Sequence, residues 1–422
     1  MKNLRHITQQ GILNITTMVS CKKNWTAAIL IAFISMSCNN QQGGSFETST
    51  VRLVDTIAGS CPNLTKNSDG NIALSWIRKV NDSSNVFCYA VSADGETFGQ
   101  PVVIPGTGNI HPHAENLPKV IFKPSGEIIA VWGAANPNAS NAYSGMVYYV
   151  QSFDEGKHWT APSQLVNDTT SNDQRYFDVA LLKNGEAGII WLDNRTEKSQ
   201  EGSALYFAST NGRNGFQGEQ MIAESCCECC RTDLFMDTEN NIHILYRAIL
   251  NDSIRDMVHS VSTDQGISFS ERKKISDDRW VIRGCPHSGP AMTANKEGVQ
   301  FAWFTGGNPR GVFYTQSSDN GKSFTSRDSV STQARHPQIS TLQNDALSIV
   351  WDEPVKKEDE FFYRIGLEKR SADGKKLFDG YITADTTSAT YPVITAAGKN
   401  ALVAYCLEEK GRSFIAYQTI IF

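Results

Sequence analysis

The stretch Ser152-Phe153-Asp154-Glu155-Gly156-Lys157-His158-Trp159 decides the fold, because it recurs. The spacing Ser-x-Asp-x-Gly-x-x-Trp/Phe returns as Ser262 to Phe269, with Asp264 and Gly266, and as Ser317 to Phe324, with Asp319 and Gly321. Shortened or degenerate copies run from Ser92 to Phe98, Ser209 to Phe216 and Ser371 to Phe378. Physically the pattern reads as a hairpin turn. The Asp carboxylate can accept turn amides, the glycine takes a dihedral that other residues avoid, and the aromatic plugs between sheets.

A second repeat interleaves with the first. A turn pair followed by an alternating apolar run ending in an aromatic occurs as Asp69-Gly70 to Trp76, Ser125-Gly126 to Trp132 and Asn184-Gly185 to Trp191. It continues as Asn240-Asn241 to Tyr246, Glu297-Gly298 to Trp303, Asn344-Asp345 to Trp351 and Lys399-Asn400 to Tyr405. Each copy has the turn chemistry and period-two pattern of a hairpin. Two hairpins per repeat give four strands, the size of a propeller blade. The predicted fold is therefore all-β, a β-propeller of four-stranded blades. The hairpins count seven blades; the Ser-Asp-Gly turns count six, the alternative. The apolar strand Thr48 to Asp55 is predicted to complete the last blade and close the ring, which removes free sheet edges.

The Ser-x-Asp-x-Gly-x-x-Trp/Phe turn resembles the Asp-box, or bacterial neuraminidase repeat, of the sialidase superfamily. The resemblance covers essentially all of the chain beyond its N-terminal segment. It implies a propeller that acts on or binds glycans, as an exo-glycosidase for an acidic sugar if it is an enzyme. Members of that superfamily hold a substrate carboxylate with three arginines, and use a Tyr–Glu nucleophile pair and an Asp acid/base. Fixed cations suit a carboxylate-bearing sugar, and a neutral Tyr avoids repelling it. Here the early Arg-Ile-Pro signature is missing, since Val51-Arg52-Leu53 does not match it. The clamp candidates are Arg231, Arg247, Arg255 and Arg335, with Tyr391 or Tyr176 as nucleophile and Asp233 beside them. None of them stands in a family motif, so the glycan expectation rests on fold analogy.

In a propeller the first strand of each blade lines the central channel, and its start opens at one mouth. Counting back from each aromatic gives equivalent starts at Cys61, Asn116, Tyr176, Cys230, His287, His336 and Tyr391. His111, His113, Asp178, Arg231, Asp233, Cys285 and Arg335 lie nearby. Proline follows in Cys61-Pro62, His336-Pro337 and Tyr391-Pro392. It removes an amide donor where the innermost strand has no partner across the axis.

The densest piece is Cys226-Cys227-Glu228-Cys229-Cys230-Arg231, with two overlapping C-x-x-C spacings. Alternate strand residues face opposite ways, so all four thiols cannot share one ion without a bend. Three readings are open. The first is disulfides, to Cys61 or Cys285 or within the cluster. The second is a copper or zinc site drawn from Cys61, Cys226, Cys227, Cys229, Cys230, Cys285, His287 and His336. The third is a redox-active thiol pair. Cys88 and Cys406 read as buried free thiols within strands. A non-catalytic cell-surface scaffold is the blandest function.

At the N-terminus, Lys22-Lys23 precede the apolar run Ala27 to Phe33, then Ser35-Met36-Ser37-Cys38 and a polar stretch. This resembles a bacterial lipoprotein signal with Cys38 lipidated. It divides the chain into a signal region 1–38, a linker 39–46 and one propeller domain 47–422. The location implied is the bacterial cell envelope, facing periplasm or cell surface, with membrane contact through the lipid anchor only. Forty per cent hydrophobic residues against 20% charged provide a core and exclude disorder. A formal charge of −5 lacks the basic field that nucleic acid requires. A monomer taking a glycan or other small molecule is expected.

Overall fold

The computed structural model describes residues 45–136, 144–167, 173–195, 201–284 and 286–422. The signal region with Cys38, all but the end of the linker, and Cys285 lie outside the described residues. Residues Gly43–Phe422 form one compact unit.

Five four-stranded antiparallel sheets follow one another along the chain. The first comprises Gly59–Lys66, Ile72–Asn81, Ser84–Ser92 and Val102–Val103, and the second Lys119–Phe122, Ile128–Ala135, Gly145–Ser152 and Ser163–Gln164. The third runs Gln174–Leu181, Ala187–Asp193, Ser203–Thr210 and Phe216–Cys226. The fourth is Asp233–Met236, Ile242–Arg247, Met257–Ser262 and Lys273–Lys274; the fifth is Ala291–Asn295, Gly298–Thr305, Gly311–Ser317 and Asp328–Ser331. The architecture is thus an all-β propeller. The count of seven separate blades needs correction. The sixth repeat, from Arg335 to Tyr381, and the seventh, from Ser388 to Ile421, share one nine-stranded sheet. A single parallel pairing, Tyr363 with Ser388, joins them. The cause is strand length: Leu347–Lys357 and Glu360–Arg370 form a hairpin of 11-residue strands. Its far end reaches the start of the next repeat.

The ring closes as the sequence suggests. Glu47–Thr48 and Arg52–Leu53 both pair antiparallel with Arg412–Ile421. Between them, Ser49 Oγ accepts the Thr419 amide at 2.9 Å and the Ser49 carbonyl accepts Gln418 Nε2 at 2.9 Å.

The hairpin aromatics Trp76, Trp132, Trp191, Tyr246, Trp303, Trp351 and Tyr405 all sit on second strands and are buried. A second strand has sheet neighbours on both sides and blades on both faces. That explains unbroken buried runs such as Ile189-Ile190-Trp191. Each such side chain removed from water stabilises the fold by about 1.5–3 kcal/mol.

The Asp-box turns are built as their spacing implies. Ser152 Oγ accepts the Gly156 amide at 2.8 Å and donates to Asp154, which accepts the His158 amide at 2.8 Å. Ser262, Asp264, Gly266 and Ser268 repeat these bonds, as do Ser317, Asp319, Gly321 and Ser323. Donated turn hydrogen bonds hold the Asp154, Asp264 and Asp319 carboxyls down at about 2. The box glycine has a second task, because it is where one blade seats on the preceding one. A Cβ on Gly266 would press into the Phe207 ring, one on Gly321 into His259, and one on Gly374 into Tyr314. The degenerate copy after Ser209 forms a short 3-10 turn, Gly212–Asn214, yet Gly215 still abuts Tyr149 of the blade before.

Gly321→Ala therefore adds a clash to a positive φ of 80°. It should lower unfolding free energy by about 2–4 kcal/mol in a denaturant titration. Gly70→Ala, with a φ of 82° and open space around it, should cost about 1 kcal/mol. Equal losses would contradict the seating role.

His259 is buried against Phe301 and Phe324, and its Nε2 lies 2.9 Å from Nδ1 of His243, whose Nε2 meets Asp237 at 3.1 Å. Burial, then the neighbouring His243, push the His259 imidazole down to about 3. Unfolded histidine titrates near 6.5, so on acidification the unfolded chain takes up a proton that the folded chain refuses. Stability should fall from about pH 6.5 downward, by about 2 kcal/mol at pH 5. His259→Gln should flatten that slope in thermal unfolding followed from pH 7 to pH 5.

Candidate functional site

The innermost strands face the axis with no strand partner, so their first amides need other acceptors. Side chains of preceding blades supply them. Asn116 Oδ1 accepts the Tyr176 amide at 2.8 Å, Ser288 Oγ the His336 amide at 3.2 Å, and Asp352 Oδ2 the Tyr391 amide at 2.8 Å. Asp178 accepts Leu234, and Asp233 accepts Met292. At the ring's seam the Cys61 backbone bonds the Cys406 sulfur.

Five of the seven predicted starts share a backbone signature that the sequence did not announce. Cys61, Tyr176, His287, His336 and Tyr391 all have φ between 48° and 58°. Strand register slips around four of them, between Ser60 and Asn63, Arg175 and Asp178, Arg335 and Gln338, and Thr390 and Val393. A left-handed residue without glycine's freedom is strained by about 1–3 kcal/mol. A bulge of this kind re-aims a side chain. The consequence is a ring of imidazoles and phenols. His336 stacks on Tyr391 with centroids 4.2 Å apart, and His113 meets Tyr176 at 5.5 Å and His287 at 5.8 Å. Asn116 and Cys230 are exceptions; the Asn116 side chain occupies the space above Gly133.

The hub is a buried ion pair. Glu115 accepts the Arg231 guanidinium at 3.1 Å, the Arg231 amide at 3.3 Å and the Gly289 amide at 2.6 Å. Arg231 also donates to the carbonyls of Pro290 and Pro337 at 3.1 and 3.2 Å. One side chain thus ties the second, fourth, fifth and sixth repeats together. Sequence reasoning missed Glu115. The only signal was its place one residue before Asn116 in a histidine-rich loop.

The carboxylate clamp is not assembled, which corrects the expectation. Arg231 is committed to Glu115. Arg247 donates to the carbonyls of Arg255, Ser288 and Phe304 and lies 4.8 Å over the Trp280 ring. Arg255 bonds the Ile282 carbonyl and Glu201. Arg335 is exposed, 5.4 Å over Phe304. Asp233 is partly buried beside Asp178 and Lys119, and burial with the Asp178 charge holds its carboxyl well above the usual range. Burial likewise raises the phenols of Tyr176 and Tyr391. Asp352, 2.8 Å from His336 Nδ1, keeps that imidazole above its ordinary value against the pull of burial.

The eight candidate metal ligands do not come together as one group. Among the described residues only Cys227, Cys229 and Cys230 converge, their sulfurs all within 4.8 Å of one another. Cys226 ends its strand with its sulfur turned to the Glu224 carbonyl, and Cys61 lies at the seam beside Cys406. His287 and His336 belong to the aromatic ring, not to the thiols. The described cysteines, including Cys88 and Cys406, are free thiols. Hydrogen bonds from Cys229 and Cys230, with Arg247 and Arg255 nearby, hold the Cys227 thiol well below its ordinary range.

Beside the ring a cleft of about 670 Å³ opens between the first sheet and the last hairpin. Gly59, Ser60, Lys79, Pro112, Arg412 and Ser413 are among its lining residues. Ser60 and Pro112 adjoin Cys61 and His113, so the cleft borders the mouth.

Comparison with known proteins adds the following. The profile of the BNR repeat-like domain matches residues 99–402. A search of curated protein sequences returns no match. Among solved structures, a protein of unknown function from Dyadobacter fermentans superposes with a TM-score of 0.52 at 16% identity, covering 88% of this chain and 99% of that one. The intramolecular trans-sialidase from Ruminococcus gnavus gives 0.49 at 9% identity, covering 85% and 94%. The Trypanosoma rangeli sialidase gives 0.46 at 10% identity, covering 86% of this chain and 55% of that one.

Removing one member of a buried pair strands the other. Glu115→Gln and Arg231→Met should each cost about 3–5 kcal/mol in chemical unfolding. The double variant should cost clearly less than their sum. An additive double variant would show that the two side chains do not act as a unit.

Proposed function

The chain belongs to the BNR repeat-like family, and from that premise we propose that it binds an acidic glycan at the channel mouth. The observation that carries this reading is the cleft bordering the mouth. Its volume, about 670 Å³, matches that of small-ligand sites. Of its two cations, Lys79 is paired with Asp82 at 2.8 Å in the same lining, and the Arg412 guanidinium, which has no carboxylate partner among the described residues, suits a carboxylate or sulfate. The adjacent imidazoles and phenols offer flat faces and polar tips to a sugar ring. The sialidase-like solved structures favour the same ligand class by analogy of fold. The envelope location and the Cys38 lipid anchor belong to this proposal and rest on the N-terminal sequence alone.

Hydrolysis is the finer part of the proposal. The four arginines do not form the clamp a sialidase uses, and the Tyr391 hydroxyl has no hydrogen-bond partner among the described residues. Binding is therefore the primary role, with exo-glycosidase activity tested beside it.

The test is a panel of sialylated, uronic-acid and sulfated oligosaccharides presented to the full chain. At least one should bind with a Kd of about 1 mM or tighter. Arg412→Ala and Lys79→Ala should each weaken it by roughly tenfold, about 1.4 kcal/mol. Release of a terminal sugar in the same samples would establish the glycosidase. A panel with no binder sinks the glycan reading and leaves a non-catalytic scaffold.

A further inference from the structure

The bend that the four clustered cysteines lacked on paper is present in the fold. Strand Phe216–Cys226 ends at Cys226, Ser225 before it is left-handed with a φ of 56°, and residues 228–230 turn. The turn throws Cys226 to one side and gathers Cys227, Cys229 and Cys230. The Cys227 and Cys229 sulfurs are 3.7 Å apart. Thiolates about 2.3 Å from a tetrahedral zinc ion stand about 3.8 Å from each other. All three side chains are buried, as a water-excluded soft site requires.

A second, independent observation concerns charge. Arg247 is one of the largest fully buried side chains of the protein. Among the described residues its hydrogen bonds all go to backbone carbonyls, its Nε has no partner, and no carboxylate pairs with it. A buried guanidinium without a counter-charge is costly. The Cys227 amide donates to the Arg247 carbonyl at 2.8 Å. Arg255 is paired with Glu201 at 2.9 Å, so the guanidinium that lacks a counter-charge is Arg247, and the thiol cluster beside it can supply the anion. Three thiolates around a monovalent or divalent ion carry −2 or −1, a charge that the uncompensated Arg247 guanidinium offsets in part.

We propose that Cys227, Cys229 and Cys230 form a buried three-thiolate site for one thiophilic d10 cation, zinc(II) or copper(I). Sulfur donors select soft and borderline ions over magnesium or calcium. Binding releases the thiol protons to solvent and changes no oxidation state. The site stands independently of the glycan reading.

The test uses the full chain, reduced and kept anaerobic, with zinc(II) alone in one arm and copper(I) alone in the other. After desalting, elemental analysis should find one ion per chain in at least one arm, and which arm identifies the ion. Cys227→Ser should weaken binding by roughly 100-fold, and Cys61→Ser should leave it unchanged. Less than a tenth of an ion per chain in both arms overturns the proposal. So does equal loss in the two variants. Should Cys227→Ser fail to fold, alkylation of the unmutated chain decides. The ion should protect Cys227, Cys229 and Cys230 together, mapped by mass spectrometry, and protection of none of them or only of other cysteines overturns the site.

Discussion

The constraint on which the rest of this structure depends is the isolation of its innermost strands. A strand lining a propeller channel has a neighbour on one side only, so its axial amides must find acceptors among side chains. Asn116, Asp178, Asp233, Ser288 and Asp352 each reach forward to the next blade to meet that need. The left-handed residues and the slipped register at the strand starts belong to the same solution. Together they fix Cys61, Tyr176, His287, His336 and Tyr391 at equivalent strand starts, at a cost in local strain that the surrounding blades sustain.

This solution also decides where charge is free. Carboxylates and guanidiniums near the axis are spent on architecture, and Glu115 with Arg231 is the extreme case. At the rim the cleft is lined by Arg412 on the last hairpin and by Lys79, which is paired with Asp82. The thiol turn lies elsewhere on the ring, between the third and fourth sheets, with the uncompensated Arg247 beside it.

Much of the fold was legible because it rests on local chemistry. Ser152, Asp154 and Gly156 make a turn wherever they occur at that spacing, and Trp76 or Trp303 must be covered on both faces. The closure by the first strand was legible for the same reason: an apolar segment with no partner of its own. The fusion of the last two repeats was not. It depends on how far a hairpin projects, and Glu360 to Tyr363 look like an ordinary strand end. The candidate site was legible as a set of positions and illegible as a set of partnerships. The starts at Cys61, Tyr176, His336 and Tyr391 follow from counting. That Arg231 would be claimed by Glu115, 116 residues away, is a tertiary fact. So is the turn that separates Cys226 from its three neighbours.

The seam has a kinetic side. Ser49 and Thr419 are hydrogen-bonded across 370 positions of sequence, so the final sheet cannot be completed until the chain has been made through Thr419. Drawing a loop of that length shut carries an entropic cost of about 5 kcal/mol, met late and all at once. Each earlier sheet is a local meander that can form in order as it emerges. The last repeat waits with an uncovered edge along Arg412–Ile421 for a strand made first. An interrupted or slowly closing chain would therefore be exposed at that one edge, where pairing with another copy is the hazard.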